Sequence, residues 1–129
     1  MYIEDIDNTE LYKKFMLLNP AKGNLKVRCY SASEAIPISG VKVVVSKEID
    51  GMQIIFYEGY TDMSGVIGKI SLPVPKLNTD NMEIPAKGVY NLEVSYQDTD
   101  LKKYIINVYE GICVLQNILI TPDVGENYG

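Results

Sequence analysis

Apolar and polar residues alternate with a period of two along most of the chain. The clearest stretch is 60–72, YTDMSGVIGKISL, where Val66, Gly68, Ile70 and Leu72 would share one face of a strand. Asp62 precedes this strand and can accept hydrogen bonds from backbone N–H groups two or three residues on. This stretch therefore predicts the end of one strand, a tight Asx-type turn and the start of the next strand.

The same alternation predicts six further strands. They lie at 23–30, 41–47, 53–61, 90–96, 103–109 and 112–121. Asp50-Gly51 is a hairpin signal between two of them, and 97–102 reads as a polar turn. About seven strands with short, regular connections predict an all-β fold, an antiparallel β-sandwich.

The long connection at 73–87 contains three prolines and several polar residues. Loops of this length are often functional. Asp80 and Glu83 suggest a cation site, but the spaced ligands and the glycine of a calcium loop are missing. We therefore expect a solvated loop.

A short helix is predicted before the strands, at 9–18. Asp7 and Glu10 have the spacing of a capping box at its start. Pro20 marks its end, because the residue before proline avoids helical backbone angles. Gly23 then reads as a hinge between the helix and the sandwich.

The helix carries an apolar stripe. Leu11, Phe15 and Leu18 fall at i, i+4 and i+7, and Tyr12 widens the stripe. The stripe allows two interpretations. The helix packs on the edge of its own sandwich, or it is a detachable arm that binds a partner or another copy of the chain.

These elements divide the chain into three parts: an N-terminal helix and linker at 1–22, a β-sandwich at 23–122 and a C-terminal tail at 123–129. A length of 129 residues fits one domain, and 47% hydrophobic residues suffice for a core without disulfides or metal.

The net charge of −5 and the scatter of basic residues argue against nucleic acid as a partner. Adjacent basic pairs occur only at Lys13-Lys14 and Lys102-Lys103. No apolar run approaches the length of a membrane span. The N-terminus is acidic where a signal peptide needs basic residues, so we expect a protein that is cytoplasmic on synthesis.

Histidine is absent from the whole sequence. A Ser-His-Asp or Cys-His mechanism is therefore impossible within this chain. Cys29 and Cys113 are far apart and form no Cys-x-x-Cys motif, and a zinc site would need more ligands. We expect two buried free thiols, with a disulfide between them as the alternative. No catalytic, cofactor or metal site is predicted.

Four motifs follow one another in the predicted sandwich: GxLxV at 23–27, IPISGVKV at 36–43, TDxxG at 61–65 and GxYxLxV at 88–94. In this order they resemble the carboxypeptidase regulatory-like family, whose members are transthyretin-like (prealbumin-like) β-sandwiches. The resemblance covers about 23–122. It implies a transthyretin-like fold of about seven strands, preceded here by a helix that the family pattern does not include.

A narrower resemblance lies at 70–75, ISLPVP, and at 108–122, VYEGI…LQNI…P. Both segments are similar to the N-terminal domain of bacterial spore cortex-lytic enzymes and related peptidoglycan-associated proteins. In that family the domain precedes a separate hydrolase domain, which these residues do not include. The resemblance implies a non-catalytic accessory or pro-domain-like role in a spore or cell-wall system.

Two chemistries known on related sandwiches are not expected here. Hydroxyisourate hydrolases depend on active-site histidines, which this chain lacks. Self-crosslinking adhesin domains join a lysine to an asparagine beside a buried carboxylate, and Lys26, Asn117 and Glu93 would be the candidates. These three alternate with the inward-facing residues of their strands, so they should point outward. We therefore expect neither an enzyme nor a crosslink.

Aromatic and apolar side chains on the surface are the candidate partner contacts, since tyrosine combines a flat apolar ring with a polar tip. The predicted partner-binding residues are Leu11, Tyr12, Phe15, Tyr30 and Tyr60. Further outward tyrosines are Tyr57, Tyr104 and Tyr109. Tyrosine is also simply common in strands.

The expected partner is a protein or an adjoining hydrolase domain. Cell-wall glycan is a weaker candidate, because the chain has no tryptophan for stacking. The alternative function is that of a stand-alone structural or adaptor subunit in a bacterial surface or phage-like assembly.

Overall fold

The computed structural model describes residues 2–3, 10–31, 36–77 and 86–120 of the chain. This part contains one helix, α1 (Glu10–Leu18), and seven strands. The strands are β1 (Ala21–Ser31), β2 (Lys42–Ile49), β3 (Met52–Tyr60), β4 (Val66–Val74), β5 (Gly88–Tyr96), β6 (Thr99–Val108) and β7 (Cys113–Ile120). The predicted all-β architecture with a short N-terminal helix is confirmed.

The strands form two sheets. The three-stranded sheet has the order β4-β1-β7, and the four-stranded sheet has the order β3-β2-β5-β6. Neighbouring strands are antiparallel except for β1 and β7, which run parallel. The segment between β6 and β7 crosses from one sheet to the other, and this crossing brings the last strand alongside the first in the same direction.

The core lies between the two sheets and is built from alternate residues of the strands. On β1 the inward residues are Leu25, Val27 and Cys29, as the sequence pattern predicts. The largest fully buried side chains are Tyr90, Leu25, Ile54, Leu72, Leu92 and Ile118. Branched aliphatic residues supply most of this core, which agrees with their preference for packed strands.

A β-bulge in β4 changes the predicted face of that strand. Leu25 pairs with Ile70, whereas Val27 pairs with Ile67, so one extra residue is inserted in β4. As a result Ile67 and Ile70 are buried while Gly68 is exposed. The prediction that Val66, Gly68, Ile70 and Leu72 share one face of the strand is therefore wrong for Val66 and Gly68. Strand β4 also continues to Val74, two residues into the predicted loop 73–87.

The connection between β5 and β6 is shorter than predicted. Gln97 and Asp98 both have positive φ, 52° and 65°, and β6 begins at Thr99. Asp50 and Gly51, with φ of 51° and 80°, connect β2 and β3 in the same way. Two positive φ angles are the mark of a tight hairpin turn. Glutamine is not typical of such a turn, so the sequence signal at 97–98 is weak and the predicted turn 97–102 is too long.

The turn at 61–65 has the predicted structure. The Asp62 Oδ1 atom accepts hydrogen bonds from the N–H groups of Ser64 and Val66, at 2.9 and 3.0 Å. Gly65 has a φ of 75°, and a side chain there would overlap the carbonyl oxygen of Cys29. Asp62 therefore closes a turn of its own backbone. This turn connects β3 of the four-stranded sheet to β4 of the three-stranded sheet.

Helix α1 ends as predicted. Asn19 donates from both its backbone N–H and its side-chain amide to the carbonyl of Phe15, each at 3.0 Å. Strand β1 begins two residues later at Ala21. Gly23 lies inside β1 and is buried, so its predicted role as a hinge is wrong. The predicted capping box includes Asp7, which lies outside the described residues.

The helix docks on its own sandwich through an aromatic stack. The ring centroids of Phe15 and Phe56 are 5.5 Å apart, and those of Phe56 and Tyr90 are 5.1 Å apart. Tilted and edge-on arrangements of this kind are favourable for aromatic rings. The structure therefore supports the first of the two interpretations of the apolar stripe, in which the helix packs on its own sandwich.

Candidate functional site

The five predicted partner-binding residues differ in their accessibility. Tyr60 is 62% exposed, and Tyr30, Leu11 and Tyr12 are half-buried. Phe15 is only 6% exposed because its ring packs on the sandwich. In this structure Phe15 is therefore covered by its own sandwich rather than open to a partner.

These residues do not form one site. Leu11 shares a shallow surface cavity of about 350 Å³ with Asp50, at the β2–β3 hairpin turn. Tyr60 is at the other end of β3 and pairs with Lys42. Strand β3 has nine residues, so the two groups are separated by about 25 Å. The helix and Tyr60 would have to bind different partners or different parts of one partner.

Tyr60 belongs to a group of exposed apolar side chains at one end of the sandwich, which we call the turn end. Its members are Ile36 (50% exposed), Tyr60 and Met63 (91% exposed). The two segments that carry them are adjacent, because Gly65 lies against Pro37. A cavity of about 240 Å³ beside Tyr60 is lined by Gly40, Lys42, Ser95, Gln97 and Asp98. The turn end combines apolar contact area with a polar border.

The strands of the four-stranded sheet are balanced in charge. They carry four basic and four acidic residues, Lys42, Lys47, Lys102 and Lys103 with Glu48, Glu58, Glu93 and Asp100. The Lys42 Nζ atom lies 3.1 Å from a Glu58 carboxylate oxygen, and the Tyr2 hydroxyl donates to the same carboxylate.

These two hydrogen bonds, first that of Tyr2 and then that of Lys42, lower the pKa of Glu58. The carboxylate raises the pKa of Lys42 in turn. Both groups stay ionised near neutral pH, which suits an ion pair rather than a proton-transfer site.

The outer face of the three-stranded sheet is uniformly basic. Strands β1, β4 and β7 contain four basic residues and no acidic residue: Lys22, Lys26, Arg28 and Lys69. All four are exposed. The Arg28 guanidinium lies 5.0 Å from the centre of the Tyr30 ring, and none of the four forms an ion pair with a described residue. We call this surface the basic face.

Sequence reasoning missed the basic face. It treated the basic residues as scattered, because few of them are adjacent in the chain. The available signal was the alternation itself: Lys26 and Arg28 are two positions apart in β1, which places them on the same side of a sheet. Lys69 joins them only through the pairing of β4 with β1.

One lysine points toward the interior. The Lys47 Nζ atom donates to the Val89 carbonyl at 2.8 Å and lies 5.0 Å from the centre of the Tyr90 ring. Burial lowers the pKa of Lys47. Burial also raises the pKa of Tyr90, whose hydroxyl donates to the Pro73 carbonyl of the other sheet. The hydrogen bond from Tyr90 to Pro73 ties the two sheets together.

The two cysteines are free, as predicted, but only Cys29 is buried. Burial raises the pKa of the Cys29 thiol to about 11. Cys113 is exposed on the outer side of β7, so its predicted burial is wrong. Its neighbour Val114 takes the half-buried position on the inner side.

The three crosslink candidates point outward, as predicted from their alternation with the inward-facing residues of their strands. Lys26 and Asn117 are exposed on the three-stranded sheet, whereas Glu93 is on the four-stranded sheet beside Lys103.

Within the described residues no three metal-ligating side chains cluster, and no helix there has the length and hydropathy to cross a membrane. The suggested cation ligands Asp80 and Glu83 lie outside the described residues.

Comparison with known proteins shows the fold. No protein-family model matches the chain, and no curated protein matches it in sequence. Among solved structures, the Bacillus anthracis TIE protein matches 78% of this chain at 15% identity with a TM-score of 0.54. The 5-hydroxyisourate hydrolase of Klebsiella pneumoniae matches 79% of this chain and 92% of its own length, at 19% identity with a TM-score of 0.51.

The chain is a transthyretin-like β-sandwich. This agrees with the fold implied by the four motifs between 23 and 94. The chain spans 16% of the length of the TIE protein, and at these identities the likeness extends to the fold alone.

Proposed function

We propose that this chain is a non-catalytic accessory domain that acts through protein–protein or interdomain contacts in a spore or cell-wall system. The observation that carries the proposal is the turn end, where Ile36, Tyr60 and Met63 present apolar side chains on adjacent segments. Exposed apolar groups with a polar border are typical of protein contact sites.

The spore and cell-wall context rests on the resemblance at 70–75 and 108–122. The pro-domain-like role is supported by the match to part of a much longer protein, the TIE protein of Bacillus anthracis. A domain of this kind would position a neighbouring domain or a partner protein rather than perform the reaction itself.

The non-catalytic role is supported by the absence of histidine from the sequence, although the fold is shared with a 5-hydroxyisourate hydrolase. The direct check is to add purified protein to 5-hydroxyisourate and follow its decay by absorbance. We expect the same decay rate as in buffer. A rate that increases in proportion to protein concentration would overturn the non-catalytic proposal.

The binding role can be tested with a photo-crosslinking amino acid at position 63. Position 17 is the matched control, because Leu17 is also exposed, at 80%, but is on the helix at the opposite end. Each protein is irradiated with a cell-wall protein extract of the bacterium that encodes it. We expect one defined protein adduct from position 63 and none from position 17.

Equal adducts from positions 63 and 17, or none from position 63, would contradict the turn end as the contact site. Adducts formed only between copies of this chain would favour the alternative of a structural subunit. Sedimentation with protein-free peptidoglycan is the complementary measurement, and retention there would favour glycan binding over protein binding.

A further inference from the structure

The outer edge of β7 differs from the other three sheet edges. In the described part of the molecule, the edge of β3 is partly covered by Tyr2, which bridges to Ile55. Strand β4 contains Pro73 and a bulge, and β6 carries Lys102 and Lys103. Prolines, bulges and charges are the usual protection against pairing with another strand. Strand β7, CVLQNILI, has none of these.

The hydrogen bonds of β7 show which groups are unpaired. Asn24 N–H donates to the carbonyl of Ile112 at 3.0 Å, so Ile112 and every second residue after it face β1. The residues between them direct their N–H and C=O groups away from β1. These residues are Cys113, Leu115, Asn117 and Leu119, of which the first three are exposed and Leu119 is half-buried. No described strand pairs with this edge.

The basic face lies directly beside this open edge. In the parallel ladder Lys26 is opposite Leu115, and Arg28 is opposite Asn117. A strand added to β7 would lie about 10 Å from β1, which is two strand spacings. Extended lysine or arginine side chains can meet glutamate side chains across that distance. Lys26 and Arg28 are two residues apart, so they match acidic groups at alternate positions of an added strand.

We propose that β7 and the basic face together form a docking site for an extended acidic segment of a partner protein, which adds as a fourth strand beside β7. Such strand addition is an established mode of peptide recognition, in which backbone hydrogen bonds give affinity and side chains give specificity. The proposal rests on the protein-binding function proposed above and names a second contact surface, on the side of the molecule formed by the three-stranded sheet.

The charge pattern selects this occupant over two others. A second copy pairing through β7 would bring two uniformly basic faces side by side, which is repulsive. A nucleic acid or polyphosphate chain could satisfy the basic face but has no peptide groups for the open edge. An acidic peptide strand satisfies both features.

The test uses a fluorescein-labelled ten-residue peptide of alternating glutamate and valine. Its binding to the full chain is measured by fluorescence anisotropy. A glutamate–proline peptide of the same length and charge is the control for backbone pairing, since proline cannot donate to a ladder. A lysine–valine peptide is the control for charge. We expect the glutamate–valine peptide to bind about tenfold more tightly than either control, equivalent to about 1.4 kcal/mol.

Variants then locate the site. The double variant Lys26→Glu/Arg28→Glu should weaken binding by about tenfold. Lys102→Glu/Lys103→Glu makes the same change of charge on the other sheet and should weaken it less than about twofold. Leu115→Pro removes one edge N–H without removing a ladder bond. Leu115→Glu is the second variant if the proline disturbs folding, because a negative charge on the edge strand repels an acidic peptide. Both should reduce binding, and thermal unfolding checks that each variant is folded.

Three outcomes would overturn the proposal: equal binding of the glutamate–proline peptide, equal loss from the Lys102/Lys103 variant, or no effect at Leu115. A single-stranded oligonucleotide that binds more tightly than the peptide would instead assign the basic face to polyanions. The crosslinking experiment at position 63 does not involve β7. Its adduct together with a failed peptide assay would leave the proposed function standing and remove only this site.

Discussion

The two sheets share one core but present different surfaces. The four-stranded sheet has equal numbers of basic and acidic residues, an ion pair between Lys42 and Glu58, and an edge strand partly covered by Tyr2. The three-stranded sheet has four basic residues, no acidic ones and an open edge at β7. The first surface is balanced in charge and contains an ion pair, whereas the second is basic and its charged groups form no ion pair with a described residue.

This difference shows how a net charge can mislead. The chain is acidic as a whole, with a charge of −5, yet one of its two broad faces is entirely basic. The net charge bears on solubility and on long-range repulsion, whereas binding depends on the electrostatic potential of the surface that contacts the partner. The charges therefore have to be counted strand by strand and face by face.

The largest expected change in the free energy of unfolding comes from glycine-to-alanine substitutions, which we compare at one glycine in each sheet. A side chain at Gly23 in β1 would overlap the Tyr109 carbonyl and the Val108 side chain, whereas at Gly59 in β3 it would meet only the ring of Tyr57. Backbone cannot move aside as a ring can. We expect Gly23→Ala to lower the free energy of unfolding by about 3 kcal/mol and Gly59→Ala by about 1 kcal/mol.

Urea denaturation of the purified variants measures both values. Gly68→Ala is the control, because a side chain there would meet open space. We expect it to change the free energy of unfolding by less than about 0.5 kcal/mol. If Gly59→Ala were as costly as Gly23→Ala, the contrast between the crowded three-stranded sheet and the adaptable edge of the four-stranded sheet would be lost.

The second prediction concerns the cover that α1 provides for the four-stranded sheet. Phe15→Ala removes the ring that packs on Phe56. We expect a loss of about 2 kcal/mol, below the roughly 3–5 kcal/mol of a phenylalanine in the middle of a core. Leu18→Ala is the matched control, since Leu18 is exposed in the same helix. Hydrogen exchange should increase in α1 and β3 but stay unchanged in β7.

The third prediction concerns the link between the sheets. The Tyr90 hydroxyl of β5 donates to the Pro73 carbonyl of β4. Tyr90→Phe keeps the ring against Phe56 and removes only this hydrogen bond. We expect a loss of about 1 kcal/mol in chemical denaturation. An unchanged free energy of unfolding would mean that the two sheets are held together by apolar packing alone.

The last prediction compares the thiols on the two sides of the three-stranded sheet. Cys113 is exposed, whereas Cys29 is buried and its pKa is raised from 9.0 to about 11. The unfolded Cys29 thiol loses its proton first, so this residue makes the folded state less stable as the pH rises from about 9 to about 11. The decline in melting temperature over this range should therefore be shallower for Cys29→Ala than for the unchanged protein.

A thiol reagent provides the second readout at neutral pH. One thiol should react rapidly, and the second should react only when the protein unfolds. Cys113→Ala should remove the fast reaction and keep the alkaline decline. Two rapid reactions would contradict the burial of Cys29.

The sequence predicted the fold well where local chemistry decides it. The alternation of Leu25, Val27 and Cys29 identified the inner face of β1, and Asp62 with Gly65 identified the turn between the sheets. It failed where strand pairing decides: the bulge in β4 and the parallel pairing of β1 with β7 depend on neighbours that no local pattern specifies.

The candidate sites were harder to predict for the same reason. Phe15 has the spacing of an exposed apolar stripe, but its burial depends on Phe56, more than forty positions away in the sequence. The basic face requires the pairing of β1 with β4, which places Lys26 and Lys69 on the same side of one sheet. Tyr60, by contrast, was predicted as an outward tyrosine and is exposed.

The parallel pairing of β1 and β7 has a consequence for how the domain assembles. Asn24 and Cys113 are partners although about 90 residues separate them, and contacts between such distant positions slow folding. During synthesis β1 can pair with β4, but its other edge stays open until the last strand has left the ribosome. The three-stranded sheet is therefore completed only when β7 has been synthesised. The proposed docking edge of β7 exists only on the completed domain.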